Sequence, residues 1–239
     1  NNSFTSLKLF NRLQKFKSLK KIVYAAAGCA VAKKTFENAL ATDEDAPVSL
    51  FHDSPYSISK LIGEMYGNYF FQKNGMPFVK ARFQNVYGPR EILGAGKWRG
   101  TPHTVWRNVI PTFIWKSMHK EALPLDNGGK GSRDFIFVDD IVKGLIKCAL
   151  IGNPGETYNL AFGKETTIFN LAKIINEITG NSTDLNLKKA RSWDKSGKRF
   201  GSTIKSKTEL SFVSKIDIEE GLSLTVEWTK KNFSLIQKV

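Results

Sequence analysis

Little in this chain offers metal or disulfide chemistry. Two cysteines, Cys29 and Cys148, lie far apart in apolar surroundings, and three histidines, His52, His103 and His119, stand at no metal-ligand spacing, so neither a metal site nor a disulfide framework is expected. Cysteine this scarce suits a reducing compartment, and the cytoplasm is the expected one. The longest apolar run, Ile22–Ala32, has 11 residues; a membrane-spanning helix needs about 20. No cleavable signal pattern opens the sequence, so a non-secreted protein without a membrane span is expected. Acid is short relative to base: 22 Asp and Glu face 36 Lys and Arg, a net charge of +14. Such an excess attracts anions, whether nucleic acid, an acidic membrane face or a phosphorylated small molecule, and charge alone does not choose among them.

What is present is the composition of an ordinary globular protein, 239 residues with 41% hydrophobic and 24% charged, enough for one or two domains. Phe4, Leu7, Leu9, Phe10, Leu13 and Phe16 recur at spacings of three and four, which predicts an amphipathic helix over 3–17. The continuous apolar run 22–27 ahead of Gly28 reads as a buried parallel strand. Residues 33–54 read as irregular. Ser54-Pro55 starts a helix that runs to Lys73 and stops at Asn74-Gly75. Strands are then expected at 76–83, 134–138, 156–160 and 184–187, and helices at 109–119, 139–150, 167–179 and 217–232. The segment 84–107 reads as one long loop rich in Gly, Arg and Trp, and 188–207 as a basic, irregular stretch. Alternating strands and helices predict an α/β protein with a parallel sheet.

Four segments carry candidate chemistry. In Tyr56-Ser57-Ile58-Ser59-Lys60 the four-residue offset places phenol and ammonium on one helix face, about 5–6 Å apart at Cβ. An ammonium there favours phenolate and makes the tyrosine a proton acceptor near neutral pH. Tyr69 and Lys73 repeat the offset, but Lys73 closes the helix, where the macrodipole accounts for a cation. Arg82-Phe83-Gln84-Asn85-Val86-Tyr87-Gly88-Pro89 follows a buried strand, where ligands of open α/β sheets bind; a polar turn is the plainer account of it. Arg133 follows a glycine turn at 128–131 and suits bidentate phosphate recognition. Arg191 sits in a stretch with eight Lys and Arg against one Asp between 188 and 207, for which a solvated face is the alternative.

Together and in this order, the buried strand, Tyr-x-x-x-Lys, Arg-Phe-x-Asn-Val-Tyr-Gly-Pro, Val-Ile-Pro-x-Phe-Ile (109–114), Arg-Asp-Phe-Ile-Phe-Val-Asp-Asp and Glu-Glu-Gly-Leu (219–222) resemble the extended short-chain dehydrogenases/reductases. Within that group the chain is similar to the NAD-dependent epimerase/dehydratase family acting on nucleotide sugars, in the manner of the UDP-glucose 4-epimerases. The resemblance implies an incomplete Rossmann-type doubly wound parallel sheet with a smaller C-terminal α/β substrate-binding domain. Residues 1–87 would be the later part of the NAD-binding domain and 88–239 mainly the substrate domain, with about 133–152 packing back on the first. It implies Tyr56 as the proton-transferring residue and Lys60 as its activator. Tyr56, Lys60, Ala25, Ala26 and Phe83 would meet the cofactor, NAD, with NADP left open. Ala27, Asn85, Arg133 and Arg191 would meet a nucleotide-diphosphate sugar, which gives the basic charge a partner in place of nucleic acid or a membrane. A homodimer through the Tyr56 helix is a further implication.

Two departures from the family pattern bear on activity. The family opens with a strand and a Gly-x-x-Gly-x-x-Gly loop that seats the cofactor pyrophosphate on a helix N-terminus. This chain carries no such loop, and the resemblance implies that roughly 80–100 residues of the first βαβαβ half lie outside it, so a fragment, or a partner supplying the rest, is expected. Second, Ala25-Ala26-Ala27 stand where the family has a Ser or Thr hydroxyl, and Cys29, Ser54 and Thr35 are stand-ins that spacing does not rank. Gly28-Cys29 occupy the places of the acid/base pair of the 4,6-dehydratases, which favours epimerisation by reversible hydride transfer over dehydration. The alternative is a non-catalytic remnant that retains nucleotide-sugar binding.

Overall fold

The computed structural model describes residues 2–31, 35–52, 54–91, 108–190 and 197–237. Helix α1 (Asn2–Leu13) precedes β1 (Ile22–Ala27) and a short 3-10 turn at Gly28–Ala30, after which the chain crosses to α2 (Pro55–Asn74) and returns through β2 (Phe78–Phe83) and β3 (Asn85–Tyr87). Then come α3 (Val109–Met118), β4 (Pro124–Leu125), β5 (Ser132–Arg133), β6 (Phe135–Phe137) and α4 (Val138–Ile151). The remainder is β7 (Thr157–Leu160), β8 (Thr166–Thr167), α5 (Ile168–Thr179), β9 (Asn186–Leu187), α6 (Ile204–Leu210), α7 (Ile218–Lys231) and α8 (Phe233–Ile236). No helix among the described residues is long and apolar enough to cross a membrane.

The central sheet is parallel in the order β1-β2-β7. Ala26 lies opposite Arg82, and Arg82 opposite Asn159. Helices cover both faces, as the doubly wound expectation requires. On one side α1 and α2 meet β1 and β2 through Phe10, Phe70, Met76 and Phe78; the Phe10 and Phe78 rings are 5.2 Å apart edge to face. A fully buried aromatic of this kind contributes about 1.5–3 kcal/mol. On the other side α4 and α6 pack on Val79, Ala81, Tyr158 and Leu160. A second core joins α3, α5 and α7 to β3 and β6 around Tyr87, Phe113, Phe137, Leu171 and Leu222.

The sequence explains why α2 sits so close to the sheet. Ser54 caps it by accepting from the Ser57 N–H at 3.2 Å, Pro55 fills the first turn, and Gly75 ends it at φ 66°. Gly63 and Gly67 weaken a helix interior, yet a Cβ on either would lie 2.1 Å from the Tyr24 hydroxyl or 1.9 Å from the Phe78 ring. Glycine there lets two aromatic rings lie against helix backbone.

Two readings of the sequence need correction. Residues 84–107 are not one loop, because Asn85–Tyr87 form β3, which pairs in parallel with Phe135–Phe137. The basic stretch 188–207 is not wholly irregular, because helix α6 begins at Ile204. It buries Ser206 and Leu210 while Lys207 stays exposed, so the charge occupies only its outer face.

Candidate active site

The carboxyl end of β1 and the first turns of α2 meet at one place. Lys60 donates from Nζ to the Ala25 carbonyl at 2.8 Å, pinning α2 to the strand, and the same ammonium lies 5.8 Å from the centre of the Tyr56 ring. Tyr56 itself is 41% exposed. Tyr24 of β1 donates to the Lys60 carbonyl at 3.3 Å, and its ring lies 5.5 Å from the ammonium. Burial holds the Lys60 ammonium below its ordinary range, with the Cys29 thiol opposing the shift. The second match to the motif behaves differently: Lys73 donates at 2.9 Å to its own Tyr69 on the exposed surface.

Ala26 and Ala27 are buried and Ala25 is exposed at the strand's edge. Phe83, half-buried, packs beside the core between β2 and α4. The hydroxyl absent from β1 has a neighbour that spacing did not reveal. Ser57 is buried on the first turn of α2, 3.0 Å from the Ser54 Oγ and 3.8 Å from the Cys29 Sγ. Of the stand-ins, Cys29 and Ser54 therefore adjoin the Tyr56 helix, while Thr35 bridges to Lys198. A Cβ on Gly28 would meet the Gln84 side chain at 2.1 Å, so an acid at that position would have to displace the Gln84 amide. Gln84 was not singled out as a site residue, and only the fold brings it there.

Asn85 begins β3, half-buried, its N–H donating to the Asp134 carbonyl at 2.9 Å. Arg133 ends β5 and donates to the Ser132 and Gly197 carbonyls at 2.6 and 2.8 Å. Beside it, Asp134 is almost wholly buried and accepts from the N–H groups of Phe162 and Gly163, both at 3.0 Å, and of Gly201 at 3.2 Å. Burial pushes its carboxyl up to about 6 against the pull of those three donors. Arg191 lies outside the described residues. Among the described residues no three of His, Cys, Asp or Glu converge as a metal site.

One carboxyl near this region carries a pH prediction. Glu91 accepts from the Asn108 side chain at 2.8 Å inside an apolar cavity lined by Ile110, Ile114 and Trp115 of α3 and Thr225 and Thr229 of α7. Burial pushes it up from 4.5 to about 7. Between those values the folded chain holds a proton that the unfolded chain has lost, so the contribution to stability falls as pH rises through that window, by about 3 kcal/mol in all, and is level above it. Glu91→Gln keeps an oxygen for Asn108 and nothing to ionise. Urea denaturation at pH 5 and pH 8 should show the variant gaining about 1–3 kcal/mol on the parent at the higher pH; an unchanged difference between the two pH values would contradict it.

The chain belongs to the NAD dependent epimerase/dehydratase family, whose model matches residues 1–161. It is 53% identical to the Bordetella bronchiseptica enzyme WbmF, solved with NAD+ and UDP, at a TM-score of 0.82 over 99% of this chain and 66% of that one. An epimerase of Methanothermobacter thermautotrophicus is 34% identical at a TM-score of 0.86, over 99% of this chain and 67% of that one. The dTDP-D-glucose 4,6-dehydratase of Mus musculus is 28% identical over 198 residues, 80% of this chain and 51% of that protein. The chain thus spans about two thirds of the solved structures it matches and about half of the dehydratase. These relatives also bear out the α/β fold with a parallel sheet.

Proposed function

We propose that this chain supplies the proton-transferring helix and the nucleotide-sugar site of an NAD-dependent nucleotide-sugar epimerase. The observation that carries the reading is the Lys60 ammonium fixed on the Ala25 carbonyl and lying 5.8 Å from the ring of the exposed Tyr56. A dinucleotide fits this donor set: Tyr56 and Lys60 offer a hydroxyl and an ammonium at the carboxyl end of β1, where ribose hydroxyls can be met. NAD, when bound, supplies reversible hydride transfer. The chain's own residues do the rest. Tyr56 accepts the proton of the reacting sugar hydroxyl and later returns it, while Lys60 keeps the phenolate accessible near neutral pH. Asn85, Arg133 and Arg191 are assigned to the nucleotide diphosphate, with 1–87 as the cofactor part and 88–239 mainly as the substrate part, apart from about 133–152 and β7, which pack on the central sheet.

Epimerisation is preferred over elimination because Gly28, closed in by Gln84, offers no second acid. The test uses a protein that also carries a Gly-x-x-Gly-x-x-Gly loop, with UDP-glucose, UDP-N-acetylglucosamine and UDP-glucuronic acid assayed in turn for binding by calorimetry and for turnover. Interconversion at one carbon supports the reading, a 4-keto-6-deoxy product replaces it with dehydration, and binding without turnover selects the non-catalytic remnant. In the same protein Ala27→Ser, which restores a hydroxyl to the strand end, is expected to raise turnover about tenfold, the worth of one positioned hydrogen bond. No gain there would show that the missing hydroxyl is not limiting.

A further inference from the structure

The helix face that presents Tyr56 and Lys60 continues one turn further to Glu64. Glu64 is only 3% exposed, and its carboxylate receives Arg82 of β2 through two hydrogen bonds, Nε to Oε1 at 2.9 Å and Nη2 to Oε2 at 2.7 Å. The remaining nitrogen, Nη1, donates to the Glu44 carbonyl at 2.7 Å. Glu44 in turn accepts from the Asn159 N–H of β7 at 2.8 Å, while the Asn159 side chain donates to the Thr42 carbonyl at 2.9 Å. One guanidinium therefore ties the tyrosine helix, two neighbouring strands and the crossover segment to one another.

Stability alone does not account for this pair, because replacing a buried ion pair by well-packed apolar side chains is often neutral or stabilising. Its position suggests another use. Glu64 lies on the face of Lys60 at the four-residue offset where charges interact on a helix. The other groups turned toward the site are the Tyr24 phenol, held neutral by burial, the Cys29 thiol of the turn after β1, and Lys80 of β2, whose Nζ is spent on Asn68 and the Gly155 carbonyl. Glu44, from the crossover, is itself half-buried, and desolvation raises it above its ordinary range. An unopposed Glu64 would pull the Tyr56–Lys60 pair toward the protonated phenol, and an unopposed Arg82 would push it toward phenolate.

We propose that Arg82 and Glu64 are positioning residues that set the protonation of Tyr56: locked together one turn beyond Lys60, each cancels the other's charge, so Lys60 alone determines the field at the phenol. The proposal rests on the reading of Tyr56 as the proton acceptor, and its test is arranged to separate the two. Tyr56 is titrated directly, as the difference in ultraviolet phenolate absorbance between each protein and its Tyr56→Phe counterpart, which needs neither cofactor nor turnover. Glu64→Gln is expected to lower the Tyr56 titration midpoint by on the order of 0.5–1 pH unit and Arg82→Gln to raise it by a similar amount. The double variant should return to the parent midpoint, and Arg82→Lys, which keeps the charge and loses the two-pronged geometry, should stay near it. A purely structural role would lower the melting temperature of all these variants without shifting the two single variants in opposite directions. Folded single variants, judged by circular dichroism, with unmoved or same-direction midpoints overturn the proposal; should Arg82→Gln not fold, Glu64→Gln against the double variant decides alone. Opposite shifts in a protein that turns over no nucleotide sugar would defeat the catalytic reading and leave the proposal standing.

Discussion

Tyr56→Phe is expected to lower turnover of the nucleotide sugar by about 10²–10⁴-fold, the usual worth of a positioned acid/base group, while leaving affinity for UDP almost unchanged. The variant removes one oxygen from a side chain that is 41% exposed and keeps its ring. It leaves Lys60 on the Ala25 carbonyl, because that hydrogen bond does not pass through the tyrosine. Lys60→Met goes further, since it removes both the cation beside the phenol and the link from α2 to β1, and should lower turnover and weaken cofactor binding together. Tyr69→Phe, on the exposed turn that repeats the motif, should do neither. Steady-state kinetics with calorimetric UDP titration separates these outcomes, and full turnover by the Tyr56→Phe protein would remove Tyr56 from the mechanism.

The contrast between those two tyrosines shows what the sequence could and could not disclose. Both motifs have the same spacing, and what separates them, a helix start after a buried strand as against a helix end, is local and therefore readable. The strands of the central sheet announced themselves as short continuous apolar runs, and α2 by its Ser-Pro start and Asn-Gly stop. The three-residue β3 was hidden because so short a strand, set among Gly, Pro and Arg, has no periodicity of its own; its pairing with β6 comes from 50 residues further along, Asn85 opposite Phe135. Helix α6 was hidden by its charge, since lysines on the outer face dominated the composition of a segment whose inner face holds Ser206 and Leu210.

The candidate site divides along the same line. Tyr56 and Lys60 were legible because one helix turn brings them together. Ser57, Gln84, Glu64 and Arg82 were not singled out, because each meets its partner only across the fold. A signal for the last pair was available in principle. Arg82 alternates with Phe78 and Lys80 on one face of a strand otherwise read as buried, and a cation there demands a carboxylate, for which Glu64, four residues beyond Lys60, is placed on the facing side of α2.

The same demand for partners makes Asp134→Ala the substitution with the largest expected cost in stability, about 3–5 kcal/mol. Asp134 sits between β5 and β6, where its carboxylate joins the loop after β7, through Phe162 and Gly163, to Gly201. Alanine would leave the N–H groups of Phe162, Gly163 and Gly201 without their acceptor in a largely buried place. Gly201 also pairs with Thr42, whose carbonyl receives both Ser202 and Asn159, so the loss spreads into the crossover that anchors Arg82. Asp134→Asn keeps one acceptor oxygen and should cost less than alanine. Because burial raises this carboxyl to about 6, the comparison belongs above pH 7, where the parent carries the charge and all three donors face an ionised acceptor. Arg133, one residue earlier, holds its guanidinium on the Gly197 carbonyl of the same segment, so Asp134→Asn is expected to raise the KM for the nucleotide sugar while kcat changes little. Urea denaturation of both variants, followed by kinetics on the asparagine protein, measures the two effects separately. A drop in kcat at constant KM would place Asp134 in the chemistry instead of in the frame that holds Arg133.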